Sequence, residues 1–266
     1  MKNYFDLTIS DPKVKFSNFP DGQIGVELNF NFIDINEPAQ IRSRFSSYQD
    51  LFKIVALNQV LQDRGHEVEL YCPYILGARC DKKFKPGQSF DLKIVAQILN
   101  SCNFKWISVL DPHSDVLPAL INRCVVNSAY TWIRLVEFDW GKKLLISPDA
   151  GAYKKIFSIS EDLNCELISG SKVRVKDGSP EVVIHGDVSG KDCVIIDDIC
   201  DGGRTFVELG KLLKEMGASS VTLFVTHGIF SKGIQLENID AIYTTNSYQP
   251  FDEAVQNNYF HVQNIF

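Results

Sequence analysis

The chain has 266 residues, 45% of them hydrophobic and 23% charged, with a formal net charge of −6. That length fits one large or two ordinary globular domains able to bury a core without covalent staples. The acidic balance argues against a dedicated nucleic-acid binder, which carries a basic surplus. No apolar run approaches the ~18 residues that span a bilayer, and the start of the chain, Met1 to Asp6, lacks the apolar region of a signal peptide. The seven cysteines are odd in number and form no Cys-x-x-Cys pair. Neither a disulfide framework nor a zinc site is expected, and reduced thiols in a cytoplasmic compartment are the simplest expectation.

In chain order, residues 23–35 alternate apolar and polar side chains as a half-buried strand does. Residues 50–63 carry the apolar spacing of a helix, with Gly65 as a stop, and Val68 to Tyr71 reads as a short strand ending near Pro73. A helix over 90–99 and a strand over 106–110 follow. The second half repeats the layout: a strand at 144–146, a helix around 154–162, a strand from Glu166, a charged loop, and a strand at 193–196. A helix over 206–216, stopped by Gly217, and a strand at 221–225 complete it. Strands alternating with helices predict an α/β protein with parallel sheets flanked by helices. The division is expected near residue 140, giving domains 1–139 and 140–266.

In such sheets ligands bind at the carboxyl ends of the strands. Four expected strand ends carry polar clusters: 73–83, 111–113, 147–149 and 197–205. In the last, an apolar strand runs into Asp197-Asp198, then Asp201-Gly202-Gly203-Arg204-Thr205 opens a helix. Backbone N–H groups at such a turn suit a phosphate, and paired carboxylates accept from the vicinal hydroxyls of a sugar. Together they indicate a ribose phosphate.

This stretch resembles the binding signature of type I phosphoribosyltransferases and of ribose-phosphate diphosphokinases, the PRPP synthetases. The upstream segments favour the second group. Phe19, Asp21 and Gln23, in Asn18 to Gln23, resemble the family's adenine-reading Phe-Ser-Asp-Gly-Glu, with Gln23 in place of Glu. Arg79 and Asp81, in Pro73 to Lys83, resemble its ATP-phosphate stretch, with Cys80 and Lys82 in place of Gln and Arg. Asp111-Pro112-His113 resembles its Asp-Leu-His, and Ser147-Pro148-Asp149-Ala150-Gly151 its Ser-Pro-Asp-x-Gly; the resemblance makes His113 and Asp149 the magnesium ligands. Lys172 and Arg174 lie where the family carries the Lys-x-Arg of its catalytic loop. Thr226 to Ser231 matches a further strand end. The resemblance runs in order from about residue 14 to 250.

It implies two tandem type I phosphoribosyltransferase-like domains, ATP on the first and the ribose phosphate on the second. Lys172, Arg174 and His113 are then catalytic. Phe19, Asp21, Gln23, Arg79, Asp81 and His113 bind ATP. Asp197, Asp198, Asp201, Gly202, Gly203, Arg204 and Thr205 bind the ribose phosphate. The implied reaction is Mg2+-dependent transfer of the β,γ-diphosphate of ATP to the C1 hydroxyl of ribose 5-phosphate, releasing AMP. The compact length is compatible with a phage-type branch, located in a host cytoplasm, for which ADP-ribose is the implied acceptor in NAD metabolism; Arg204 replaces a residue of the usual phosphate loop. A homo-oligomer, dimer or hexamer, is implied; no nucleic acid or membrane partner is expected. The rivals are a phosphoribosyltransferase consuming PRPP and a base, which leaves the upstream matches unexplained, and a non-catalytic regulator, which would be expected to lack the loop or metal ligands.

Overall fold

A computed structural model describes residues 2–34, 36–148, 150–174 and 180–266, without the side chains of 150, 171–174 and 180–182. The chain forms two compact units. The first runs to Ser128 and includes 247–249 and Phe266; the second comprises Ala129–Asn246 and Pro250–Ile265.

In the first unit β1 (Asn3–Asp6), β4 (Ala39–Arg42), β5 (Val68–Tyr71), β6 (Ile107–Leu110) and β7 (Cys124–Asn127) form a sheet in the order β1-β4-β5-β6-β7, every pairing parallel. β2 (Val14–Asn18) and β3 (Ile24–Leu28) form a separate antiparallel hairpin. Helix α1 (Tyr48–Asp63) starts at a reciprocal cap: Ser47 Oγ accepts from the Asp50 N–H at 3.3 Å, and Asp50 accepts from the Ser47 N–H at 2.9 Å. It buries Leu51, Ile54, Leu57 and Leu61, while α2 (Asp91–Ser101) buries Leu92, Val95, Ala96 and Leu99 in the same core. A short α3 (Val116–Leu120) follows β6.

The second unit contains α4 (Tyr130–Ile133), β8 (Lys143–Ser147), α5 (Ala150–Leu163), β9 (Glu166–Arg174), β10 (Pro180–Ile184), β11 (Asp192–Cys200), α6 (Arg204–Glu215), β12 (Ser220–Gly228), β13 (Ala241–Thr245) and β14 (Phe260–Gln263). The sheet order is β10-β9-β8-β11-β12-β13-β14. All pairings are parallel except β9 with β10. β11 is central, and Cys193 to Ile196 is almost wholly buried, as a parallel strand covered on both faces must be. α6 is amphipathic, burying Phe206, Leu209 and Leu213.

Three expectations shift. Residues 129–139, read from the sequence as part of the first half, pack in the second unit. Trp132 stacks on Phe224 at 5.8 Å and donates its indole N–H to Thr226 Oγ1 at 3.0 Å, and Phe138 lies 5.1 Å from Phe224. The strand read over 23–35 stops at Leu28, because the Asn29 side chain accepts from the Asn31 N–H and caps a 3-10 turn at Phe30–Phe32; Ile35 lies outside the described residues. The strand read over 193–196 continues to Cys200, so the acidic pair stands within the strand and not in the loop after it. No helix among the described residues is long and apolar enough to cross a membrane, and all seven cysteines are free thiols.

Candidate functional site

In the first unit two of the expected segments meet at one sheet edge. β5 and β6 are parallel neighbours, so the residues after Tyr71 and after Leu110 leave the sheet side by side. The Leu110 N–H donates to Pro73 O at 3.0 Å and the Cys72 N–H to Ser108 O at 2.9 Å, which pins the two exits together. The segment 73–83 then folds as consecutive turns, with Ala78 N–H to Ile75 O at 3.1 Å and Cys80 N–H to Gly77 O at 2.8 Å. Arg79 is presented exposed and Asp81 half-buried. Asp111 is buried with φ +46°, a left-handed backbone uncommon outside glycine, and its N–H donates to Asn127 O at 2.7 Å. His113, two residues on, is exposed. Arg79, Asp81 and His113 therefore emerge from adjacent carboxyl ends.

Phe19, Asp21 and Gln23 form the tip of the β2–β3 hairpin. The Phe19 N–H donates to Gln23 O at 2.8 Å, the Gly22 N–H to Phe19 O at 2.9 Å, and the Gln23 N–H to Asp21 Oδ1 at 3.0 Å. All three side chains are exposed, and the Phe19 ring is 48% accessible at the end of the hairpin. One carboxylate oxygen of Asp21 is engaged by its own turn, as an Asx turn requires.

The second unit carries the ribose-phosphate candidates on β11 and the start of α6. The Asp198 N–H donates to Asp197 Oδ1 at 2.9 Å. Asp198 is 8% exposed, and Lys155 of α5 brings its ammonium to 3.8 Å from Asp198 Oδ1. Burial first, then the charge of Asp198, pushes the Asp197 carboxyl far above the usual carboxylate range, to about 8; Lys155 opposes this. Two carboxyls this close resist ionising together, which adds to the upward shift that burial causes. Burial also drives the Cys200 thiol up to about 12, with Asp197 and Asp201 adding to the shift, so it is no nucleophile.

The turn after β11 is held from below. Ser231 donates its hydroxyl to Asp201 Oδ1 at 2.5 Å, and the N–H groups of Ile229 and Phe230 both donate to Cys200 O. Gly203 is the N-cap of α6 at φ +75°, and a Cβ there would lie 2.3 Å from Leu236 Cδ2. Only glycine fits that position. No side chain caps α6, so its first N–H groups remain for an anion. Thr205 is half-buried in the first turn. Arg204 is 89% exposed and pairs through Nε with Glu208 Oε1 at 2.7 Å.

Asp149 lies outside the described residues, and with it the expected His113/Asp149 pair. Lys172 and Arg174 are on β9, whose backbone pairs Lys172 with Val182 and Arg174 with Pro180. Their side chains lie outside the described part. The residues before them are tightly built: a Cβ at Gly170 would stand 2.8 Å from Ser147 O and 3.2 Å from Pro148 O, so β9 passes directly against the end of β8.

Sequence reading missed Lys155, which is four residues beyond the matched Ser147–Gly151 stretch. Its signal, a cation one helical turn beyond a strand-end motif, is common on any surface helix. It also missed that Ser231 anchors Asp201 across a separation of 30 residues.

The model of the phosphoribosyl synthetase-associated domain family matches residues 155–257. The chain is 28% identical over 257 residues to a ribose-phosphate pyrophosphokinase of Agrobacterium fabrum, covering 93% of this chain and 82% of that protein. It is 28% identical over 258 residues to one of Rhizobium meliloti, covering 93% and 83%. The fold superposes on phosphoribosylpyrophosphate synthetase from Mycobacterium smegmatis with a TM-score of 0.83 at 21% identity, covering 99% of this chain and 94% of that one.

Proposed function

We propose that this chain acts as the ribose-phosphate pyrophosphokinases it resembles do, transferring the β,γ-diphosphate of ATP to the C1 hydroxyl of a ribose 5-phosphate-type acceptor and releasing AMP. One observation carries this reading: the Asp197-Asp198 pair of β11, half-buried and buried in turn, is followed, after two residues, by the glycine turn of an uncapped helix start. Diol acceptors and phosphate donors stand in one short stretch of chain.

In this reading Asp197 and Asp198 accept from the ribose 2- and 3-hydroxyls, and Asp201 to Thr205 hold the 5-phosphate. Phe19 stacks on adenine while Asp21 and Gln23 read its edge. Arg79 and His113 meet the polyphosphate, with Asp81 orienting the loop. The acceptor's C1 oxygen forms a bond to the β-phosphorus as the bond from that phosphorus to the AMP oxygen breaks, and the proton of the C1 hydroxyl leaves to solvent. Lys172 and Arg174 bear the charge on the transferring diphosphate, and no protein nucleophile is needed.

Magnesium prefers oxygen ligands, takes one or two protein groups and completes its shell with phosphate oxygens and water; the family resemblance adds an imidazole at the carboxyl edge to that set. His113 has that setting, and Asp149 is the second proposed ligand. When bound, the ion supplies charge neutralisation on the polyphosphate.

The deciding experiment incubates the protein with ATP, Mg2+ and ribose 5-phosphate or ADP-ribose and identifies the products. AMP with PRPP, or AMP with ADP-ribose pyrophosphate, supports the reaction. Consumption of PRPP with a base and no AMP from ATP would replace it with a phosphoribosyltransferase. ADP-ribose is the second acceptor because Arg204 offers an exposed guanidinium at the start of α6. Arg204→Gly is expected to raise the KM of ADP-ribose several-fold more than that of ribose 5-phosphate, and equal losses would remove this role. The assembly proposed is a homo-oligomer, dimer or hexamer, checked by its mass in solution.

A further inference from the structure

The turn that cradles the acceptor's 5-substituent has a cation beside it that the reaction above does not use. Lys232 follows Ser231, the residue whose hydroxyl is bonded to Asp201. Its stem lies along Gly202: a Cβ on Gly202 would stand 3.5 Å from Lys232 Cδ, 3.6 Å from Cε and 3.8 Å from Cγ. The ammonium is one bond beyond Cε. Lys232 is exposed, and it has no ion pair or hydrogen bond among the described residues.

The surrounding charges leave it without a counter-ion. Glu208 is engaged by Arg204 at 2.7 Å, and Asp201 accepts the Ser231 hydroxyl at 2.5 Å. The first turn of α6 contains no carboxylate and begins with a cation, Arg204, at the end of the helix where the dipole is already positive. His227, on the strand before this segment, is buried. A positive helix end, an unpaired ammonium and an uncapped set of N–H groups on one small turn form an arrangement that an anion completes.

The segment is also held in place, which a merely solvated lysine would not need. Phe230 at φ +47° and Gly233 at φ +94° bracket Ser231 and Lys232, and the Gly233 N–H donates to Phe230 O at 2.9 Å. The N–H groups of Ile229 and Phe230 are tied to Cys200 O, and Leu236 packs beneath Gly203. The backbone carrying Lys232 is thus fixed to both ends of the 200–203 turn.

We infer that Lys232 is a binding and specificity residue for the acceptor, its ammonium contacting the phosphoryl oxygens at C5 of the pentose seated over Asp201 to Thr205. The assignment rests on the acceptor site proposed above and deepens it. The sugar this protein takes is one that is phosphorylated at C5, and Lys232 adds a charged contact to those made by backbone N–H groups. A diphosphate at C5 gains at least as much from it as a monophosphate.

The test is calorimetric titration of the full-length protein, without ATP, with ribose 5-phosphate, ADP-ribose and unphosphorylated ribose, for wild type, Lys232→Gln, Lys232→Ala and Lys232→Arg. A charge-assisted contact predicts roughly tenfold or greater weakening for both phosphorylated sugars in Lys232→Gln and Lys232→Ala. Lys232→Arg is expected to bind within a few-fold of wild type. The deficit shrinks as salt rises, and ribose is unaffected. In turnover assays the loss falls on the acceptor KM, with the KM of ATP unchanged. All variants are expected to melt with the wild type, since the ammonium has no partner to lose; two neutral replacements guard against one local defect. Equal affinity of wild type and both neutral variants for ribose 5-phosphate overturns the inference, as does an equal loss for ribose. A wild type that binds ribose 5-phosphate tighter than Lys232→Gln yet forms no AMP from ATP keeps Lys232 as a phosphate contact and removes the diphosphate-transfer reaction instead.

Discussion

Gly203→Ala is the substitution the acceptor turn tolerates least. At φ +75° a residue with a Cβ gives up ~1–2 kcal/mol of backbone energy. The added methyl would also stand 2.3 Å from Leu236 Cδ2, inside van der Waals contact, and Leu236 is itself 7% exposed. Forcing a buried leucine aside costs a further ~1–3 kcal/mol. The combined loss of roughly 2–5 kcal/mol is a large fraction of a typical folding free energy of ~5–15 kcal/mol. Urea unfolding followed by circular dichroism reads it directly, and the acceptor KM reads the same distortion at the N–H groups of α6. A cycle with Leu236→Ala separates the two contributions. Leu236→Ala alone costs ~2–5 kcal/mol through the cavity it leaves, but it removes the clash, so the double variant should be more stable than the additive sum by ~1–3 kcal/mol. Strict additivity would mean that Gly203 and Leu236 do not meet, and a loss below about 1 kcal/mol for Gly203→Ala would mean that the turn is not left-handed.

Asp197→Asn is expected to abolish acceptor use while stabilising the protein above neutral pH. The folded carboxyl lies near 8 against an unfolded value near 3.8, so the folded state binds the proton more tightly. Wild-type stability therefore declines as pH rises from about 4 through about 8, and is flat beyond. The asparagine variant lacks that decline, so calorimetric melting temperatures should diverge across that window; parallel profiles would contradict the raised Asp197 carboxyl. Lys172→Ala and Arg174→Ala should retain near-normal ATP affinity and lose ~10²–10³ in kcat, measured as AMP release; wild-type turnover in both would detach β9 from the chemistry.

Periodicity and punctuation located β5, β6, β8, β9, β11 and β12, but not β1, β2, β4, β7, β10, β13 or β14. Cys193 to Ile196 is a continuous apolar run because a central parallel strand is covered on both faces. β4, at Ala39–Arg42, was missed: it alternates buried and half-buried residues over only four positions and follows Pro38, so its pattern is too short to stand out. Asp197 and Asp198 were placed after the strand because charged residues are depleted in strands. Here β12 continues alongside, pairing Asp197 with Val225 and Ile199 with His227, and tertiary pairing overrides the local preference. The glycines at 202–203 and the acidic pair were legible because turn chemistry is local. The contacts of Lys155 and Ser231 were not, because Asp198 and Asp201 are separated from them in sequence and brought near only by the crossover connections.

Those crossovers also govern how the polypeptide assembles. Each parallel neighbour is reached only after an intervening excursion, so the productive pairings span long stretches and carry a loop-closure cost before they give any return. The last strand, Phe260–Gln263, lies at the margin of the seven-stranded sheet, and Phe260 is fully enclosed in its core. During synthesis that core stays open on one flank until residue 260 has left the ribosome. Refolding in vitro should accordingly take milliseconds to seconds rather than microseconds, and removing residues 258–266 should leave an apolar edge that draws neighbouring molecules together.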